Sequence, residues 1–252
     1  MDAKSQILVL QSFHESSVTG WQGRCLASVR QWCEQQGYTY RHCHDDLFDR
    51  LPNWYWEKVA SRKPIAADLA RLLWIREALA QGEFDLVAWL DADTLILDPQ
   101  SLRLCAETTC VFGQEYWLEA KSGKNRIRKN VHNAYCAFRP DCPVLPFLIE
   151  VIQRMVRRVD ARFLAPQFVG PKLLTHLHNT VDFELDARFG ALSPAIVSTL
   201  GQGEGHLFRE MRAAMSVPLM AANLCASLHD DQGSISSQIL TASIDRLLAS
   251  RC

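Results

Sequence analysis

Asp91 and Asp93 stand one residue apart in "LVAWLDADTLIL", at the end of a stretch otherwise suited to a buried strand. Along a strand such neighbours-but-one share a face only while the strand continues; where the backbone turns at the strand end, both carboxylates can face one crevice. Two carboxylates are hard oxygen ligands. Their natural partner is Mg²⁺ or Mn²⁺ shared with phosphate oxygens, since these ions are held by one or two carboxylates plus substrate phosphates. Such an ion neutralises a departing diphosphate as a Lewis acid. The plainer alternative is that the aspartates start a turn or cap a helix. The apolar run before them and its strand-helix context weight the pair toward function.

The elements that must position the pair can be read from periodicity. "QILVLQSF" predicts a buried strand and "GWQGRCLASVRQWCEQQG" a helix that Gly37 stops. "YTYRHC" alternates as a second strand. After the irregular "HDDLFDRLPNWYWEKVASR", the segment "KPIAADLARLLWIREALAQG" has Pro64 in a first helical turn, Leu69, Leu72, Leu73, Arg76 and Leu79 at helical spacing, and Gly82 at its close. "FDLVAWL" is then a third, wholly apolar strand. Strands alternating with helices predict an α/β fold with a mostly parallel sheet covered on both faces. Ligands of such sheets bind beyond the carboxyl ends of the strands, where Asp91 and Asp93 fall.

Beyond the pair, "CVFGQEYW" and "HNAYCAFRP" predict strands separated by a basic loop, "EAKSGKNRIRKN", and "PVLPFLIEVIQRMVRRVDARFL" an amphipathic helix. The last third carries turn signals at "VGPK" and "GQGEGH" and a closing helix in "SISSQILTASIDRLLAS". No repeat or linker interrupts the 252 residues, so one domain is expected, with 200–252 a less regular C-terminal elaboration.

The balance of 27 Lys plus Arg against 28 Asp plus Glu gives no general case for nucleic acid or an anionic membrane. The apolar run at the N-terminus is too short for a signal segment and nothing approaches a membrane span. Nine cysteines, an odd number, several in apolar surroundings, fit free thiols in a reducing compartment, so a cytoplasmic location is expected.

"FDLVAWLDADTLIL" resembles the strand and D-x-D signature of nucleotide-sugar glycosyltransferases with the GT-A (Rossmann-like) fold, especially retaining galactosyl- and mannosyltransferases and capsular-polysaccharide enzymes. In "SRKPIAADLARLLWIREAL", Lys63, Asp68 and Arg71 are similar to the basic helix preceding that motif. "HNAYCAFRP" resembles the families' N-x-G-x-F-x-x-R strand through Asn133, Phe138 and Arg139, with Tyr135 in place of Gly, and "FVGPKLLTHL" resembles their "tGP" segment. The resemblance spreads over about residues 5 to 230. It implies a UDP- or GDP-hexose donor in a cleft at the sheet's carboxyl edge, Mn²⁺ or Mg²⁺ on Asp93, Asp91 near the ribose or a metal-bound water, and transfer, with retention, to a glycan or other hydroxyl. The families' third metal ligand is a C-terminal His; "LMAANLCASLHDD" offers Asn223 there, with His229 and Asp230 as substitutes six and seven residues on.

By the same resemblance Gln11, Ser12 and Phe13 fall where the base is contacted. Lys63 and Arg71 could face the diphosphate, although a solvated helix face or an ion pair with Asp68 explains them too. The loop bearing Lys121, Lys124, Arg126, Arg128 and Lys129 could close over donor phosphates or be a solvated loop. Gln167 is the candidate for the face beneath the anomeric carbon. "RHCHDD" alternates along a strand, which argues against zinc. Two other functions are open. One is a haloacid-dehalogenase-type phosphohydrolase with an aspartyl nucleophile, against which Leu95 occupies the +4 position and the motif follows two strand-helix units. The other is a non-catalytic nucleotide-sugar-binding relative, which Asn223 suggests.

Overall fold

A computed structural model describes residues 5–14, 18, 20–59, 62–105, 107–121, 124–165, 167–181, 183–230 and 233–250. The chain begins β1 (Ile7–Gln11), α1 (Gly20–Gln36), β2 (Thr39–His42), a 3-10 turn at His44–Arg50, then α2 (Asn53–Val59) and α3 (Lys63–Ala80). Next come β3 (Leu86–Leu90), β4 (Thr94–Ile96), β5 (Cys110–Lys121), β6 (Lys124–Phe138), α4 (Val144–Arg158) and α5 (Pro171–Leu177). The remainder is β7 (Glu184–Leu192), α6 (Pro194–Gln202), α7 (His206–Ala214), β8 (Ala221–Asn223), the two-residue strands β9 (His229–Asp230) and β10 (Gly233–Ser234), and α8 (Ser237–Ala249).

One eight-stranded sheet runs in the order β2-β1-β3-β6-β5-β7-β8-β4. β1 pairs parallel with β2 and β3, and β7 parallel with β5 and β8, while β3–β6, β5–β6 and β4–β8 are antiparallel. The expected α/β sheet is therefore present, with four of seven pairings parallel. Every residue of β1 and of β3 is buried, as helices on both faces require. Val87 and Trp89 face a core built with α3 and α4. Leu86, Ala88 and Leu90 alternate to the other face, against Val29 and Trp32 of α1. A third apolar cluster joins α6, α7 and α8 through Ile196, Met211 and Ile244. Gly37 and Gly82, at φ +70° and +74°, end α1 and α3 in the left-handed conformation that glycine adopts without steric cost.

Two expectations are revised. The basic segment is not a loop between separate strands: its residues 124–129 belong to β6, which pairs with β5 from Lys121↔Lys124 to Cys110↔Phe138. Alternating charges along this ribbon pair across it, as Arg128 does with Glu119 at 2.7 Å, which is what antiparallel register favours. Residues 122 and 123 lie outside the described residues. The irregular stretch after β2 contains α2, short enough to escape a periodicity test. Residues 221–223 are a strand of the main sheet.

Candidate functional site

β3 ends where its hydrogen bonds give way to a turn. Asp91 N–H still donates to the Ala134 carbonyl of β6 (2.8 Å), and Thr94 N–H donates back to the Asp91 carbonyl (3.0 Å), closing Asp91 to Thr94 into a reversal before β4. The apolar half of the motif anchors the sheet and the acidic half forms the turn.

The two carboxylates have different surroundings. Asp91 Oδ1 accepts from Trp89 Nε1 at 2.7 Å and forms an ion pair with Arg71 Nη1 at 3.0 Å. The Asp91 carbonyl accepts from Gln11 Nε2 (3.2 Å), and the Gln11 oxygen accepts from the Tyr40 hydroxyl. Asp93 instead lies in a cradle made by the end of β8. Asn223 Nδ2 donates to its Oδ1 (2.5 Å), Ala226 N–H to its Oδ2 (2.9 Å), and Leu224 N–H to its carbonyl (3.0 Å). Burial, then the neighbouring Asp91 charge, push the Asp93 carboxyl up to about 6, against the donors from Ala226 and Asn223.

Arg71 sits behind Asp91 on α3. Its Nη1 also donates to the Asn133 carbonyl (2.6 Å), its Nε to the Ala67 carbonyl (3.2 Å), and Nη2 lies 3.4 Å from Asp68. Asn133 Nδ2 donates to the same Asp68 oxygen (2.8 Å). Arg71 and Asn133 are buried; Arg71 holds Asp91 from beneath, and Asn133 holds Arg71 through its carbonyl and Asp68 through its amide. Burial pushes the Asp68 carboxyl up to about 6 although Arg71 and Asn133 pull it down. An acid whose folded pKa exceeds its unfolded value near 3.9 stabilises the fold most below pH 4 and loses that contribution as pH rises through 6. Wild type is therefore expected to lose stability between pH 4 and 6 relative to Asp68→Asn, checked by denaturant melts of both across that window.

Gly170, in the "VGP" segment, closes this network. A Cβ there would lie 2.5 Å from Asp68 Oδ2, and Asp68, held by two partners, has nowhere to retreat. Gly170→Ala is expected to cost about 1–3 kcal/mol, read as a lower midpoint of denaturant unfolding.

Of the other expected site residues, Gln11 is brought to the aspartates as described. Ser12 continues from it, half-buried, its Oγ donating to the His44 carbonyl (2.7 Å), and Phe13 is half-buried beside it at the carboxyl end of β1. Lys63 is exposed at the start of α3, eight residues before Arg71 and so about 12 Å along the helix. Gln167 is half-buried in the turn leading to Gly170; among the described residues no hydrogen bond joins it to either aspartate. His229 and Asp230 have described backbones, in β9, but their side chains lie outside what the structure describes. Asn223 is at the pair, turned toward Asp93 with its amide nitrogen; its oxygen accepts from Cys225 N–H (3.0 Å).

Sequence reasoning missed Trp89, Cys225, His132 and the Ala226 amide. Trp89 had a signal, being two residues before Asp91 and thus on its side of the strand. The others come from distant segments and had none.

The donor set suits a hard divalent cation in part. It offers two carboxylates at one strand end, with Asp91 Oδ2 lacking a hydrogen-bond partner among the described residues and Asp93 destabilised as an anion. Among the described residues no group of three His, Cys, Asp or Glu completes a metal site. No described helix is long and apolar enough to cross a membrane.

No family model matches the chain, and no curated protein matches it in sequence. Solved structures do resemble it. A glycosyltransferase involved in glycosylation of the major capsid of PBCV-1 aligns over 96% of this chain and 98% of its own at 12% identity and TM-score 0.48. Mouse xyloside xylosyltransferase 1 aligns over 88% and 98% at 10% identity and TM-score 0.45, and the PaToxG glycosyltransferase over 98% and 87% at 10% and 0.42.

Proposed function

We propose that the protein is a glycosyltransferase that moves a hexose from a UDP- or GDP-sugar to a glycan or other hydroxyl acceptor, with retention at the anomeric carbon. The observation that carries this reading is the pair of carboxylates at the C-terminal end of a central strand, each oriented by its own set of donors. In a doubly covered α/β sheet that position is the ligand crevice.

Asp91 and Asp93 would hold Mn²⁺ or Mg²⁺, with His229 as the third protein ligand. When bound, the ion supplies charge neutralisation to the diphosphate as it leaves. The chain's own contributions are positional. Arg71 and Trp89 fix the Asp91 carboxylate, leaving Oδ2 for the ligand side, and the β8 end fixes Asp93. Ser12 and Phe13, at the end of β1, would contact the base. Lys63, exposed at the start of α3, would supply a cation to the anionic donor, and Gln167 would face the sugar. The glycosidic bond to the diphosphate breaks, the acceptor oxygen bonds the anomeric carbon, and the acceptor proton leaves with the diphosphate.

The test is incubation with a panel of nucleotide sugars with and without Mn²⁺, following donor hydrolysis and thermal stabilisation by UDP or GDP. Metal-dependent stabilisation and slow donor hydrolysis are expected. Phosphatase turnover with no nucleotide response would overturn the reading in favour of an aspartyl phosphohydrolase.

A further inference from the structure

The cradle around Asp93 continues inward as a chain of donors. Asn223 gives its nitrogen to Asp93, and its oxygen accepts both from Cys225 N–H (3.0 Å) and from the Cys225 thiol (3.2 Å). The carboxamide therefore cannot be flipped without losing three bonds. The Cys225 sulfur in turn lies 4.0 Å from His132 Nε2. His132 Nδ1 accepts from Ala134 N–H (2.9 Å), which assigns the ring proton to Nε2, pointing at the sulfur. Burial, then Arg71, depress His132 to about 3, so the imidazole is neutral and the direction of the chain is fixed.

Two further observations mark this chain as built rather than incidental. Cys225 is at φ +46°, a left-handed conformation that a side-chain-bearing residue rarely adopts and that is retained where surrounding structure demands it. That conformation is what lets successive amides serve both groups, Cys225 N–H reaching Asn223 and Ala226 N–H reaching Asp93. The other end of the chain returns to the second aspartate, for the residue whose N–H binds His132 is the one whose carbonyl receives Asp91 N–H. One buried imidazole thus reaches the Asp91 backbone through Ala134 and the Asp93 carboxylate through Cys225 and Asn223.

We propose that His132 and Cys225 are positioning residues of the active site, forming with Asn223 a buried one-way donor chain that holds Asp93 in register with Asp91. The proposal rests on the reading of the aspartates as the catalytic pair. Neither residue touches substrate; both act through Asn223 and the β6 backbone. Supports of this kind cost about 10- to 100-fold in metal affinity or activity when removed.

The test uses Cys225→Gly, which keeps the left-handed backbone and deletes the thiol, Cys225→Ser, which keeps a hydroxyl donor, His132→Phe, and Asp93→Ala as reference. Two quantities are read: Mn²⁺ affinity by electron paramagnetic resonance, and the Asn223 side-chain amide pair by ¹H–¹⁵N NMR. Cys225→Gly and His132→Phe are expected to weaken Mn²⁺ binding by about 10-fold and to shift the Asn223 pair and speed its solvent exchange. Cys225→Ser restores both to within about 3-fold of wild type. An Asn223 amide pair unchanged in Cys225→Gly and His132→Phe overturns the chain. Wild-type donor turnover and Mn²⁺ binding in Asp93→Ala instead overturns the reading of the aspartates, an outcome the amide resonances do not report, so the two failures are separable.

Discussion

Asp93→Ala is expected to remove donor turnover, lowering kcat/KM for nucleotide-sugar hydrolysis by about 10³-fold or more, because a lost ligand forfeits several kcal/mol of leaving-group stabilisation at 1.36 kcal/mol per decade. The variant should remain folded. Asp93 is a half-buried anion that burial and Asp91 disfavour, so its removal relieves a strain while leaving Asn223 its bonds to Cys225 and Thr94. A thermal midpoint at or above that of wild type, alongside lost turnover, separates a functional aspartate from a turn-forming one. Full turnover in a folded Asp93→Ala would return the residue to the role of a turn former.

Arg71→Met is expected to have the largest effect on stability. The guanidinium is buried with ion pairs to Asp91 and Asp68 and a hydrogen bond to the Asn133 carbonyl. Its loss leaves Asp68 buried without its cation, so that the acid must stay charged there or take up a proton, and costs about 3–5 kcal/mol, or on the order of 10 °C in midpoint for a chain of this size. Arg71→Lys restores a charge but not the planar fork that reaches Asp91, Asp68 and the Asn133 and Ala67 carbonyls, so it recovers only part of the loss. Combining Arg71→Met with Asp68→Asn removes the stranded anion, and the double variant should be more stable than Arg71→Met alone. Equal stability of the two would show that Asp68 is not what makes Arg71 necessary. Urea titration of the four proteins checks this.

Much of the scaffold was legible because its signals are local. β1, β3, α1 and α3 announce themselves by apolar runs or helical spacing closed by glycine, and the strand-end position of Asp91 and Asp93 follows from them. The resemblance around the D-x-D motif singled out Gln11, Asp68, Arg71, Asn133 and Asn223, and the structure gathers all five around the pair. What it could not convey is which way each points. Arg71 turns to Asp68 and Asp91, and Asn133 to Asp68, contacts that join segments far apart in the chain and leave no local signal. Asn223 lies 130 residues from Asp93 and meets it only because β8 pairs with β4. The basic segment read as a loop because its charges hide the alternation that cross-strand pairing with β5 makes meaningful.

A crystal structure with UDP or GDP and Mn²⁺ soaked in tests whether Asp91 and Asp93 hold a metal-bound nucleotide sugar at the carboxyl end of β3. A metal is expected within coordination distance, about 2.0–2.6 Å, of oxygens from Asp91 or Asp93 and from the diphosphate, with the base against Ser12 and Phe13. Nucleotide bound elsewhere, or bound here with no metal on either carboxylate, would contradict it.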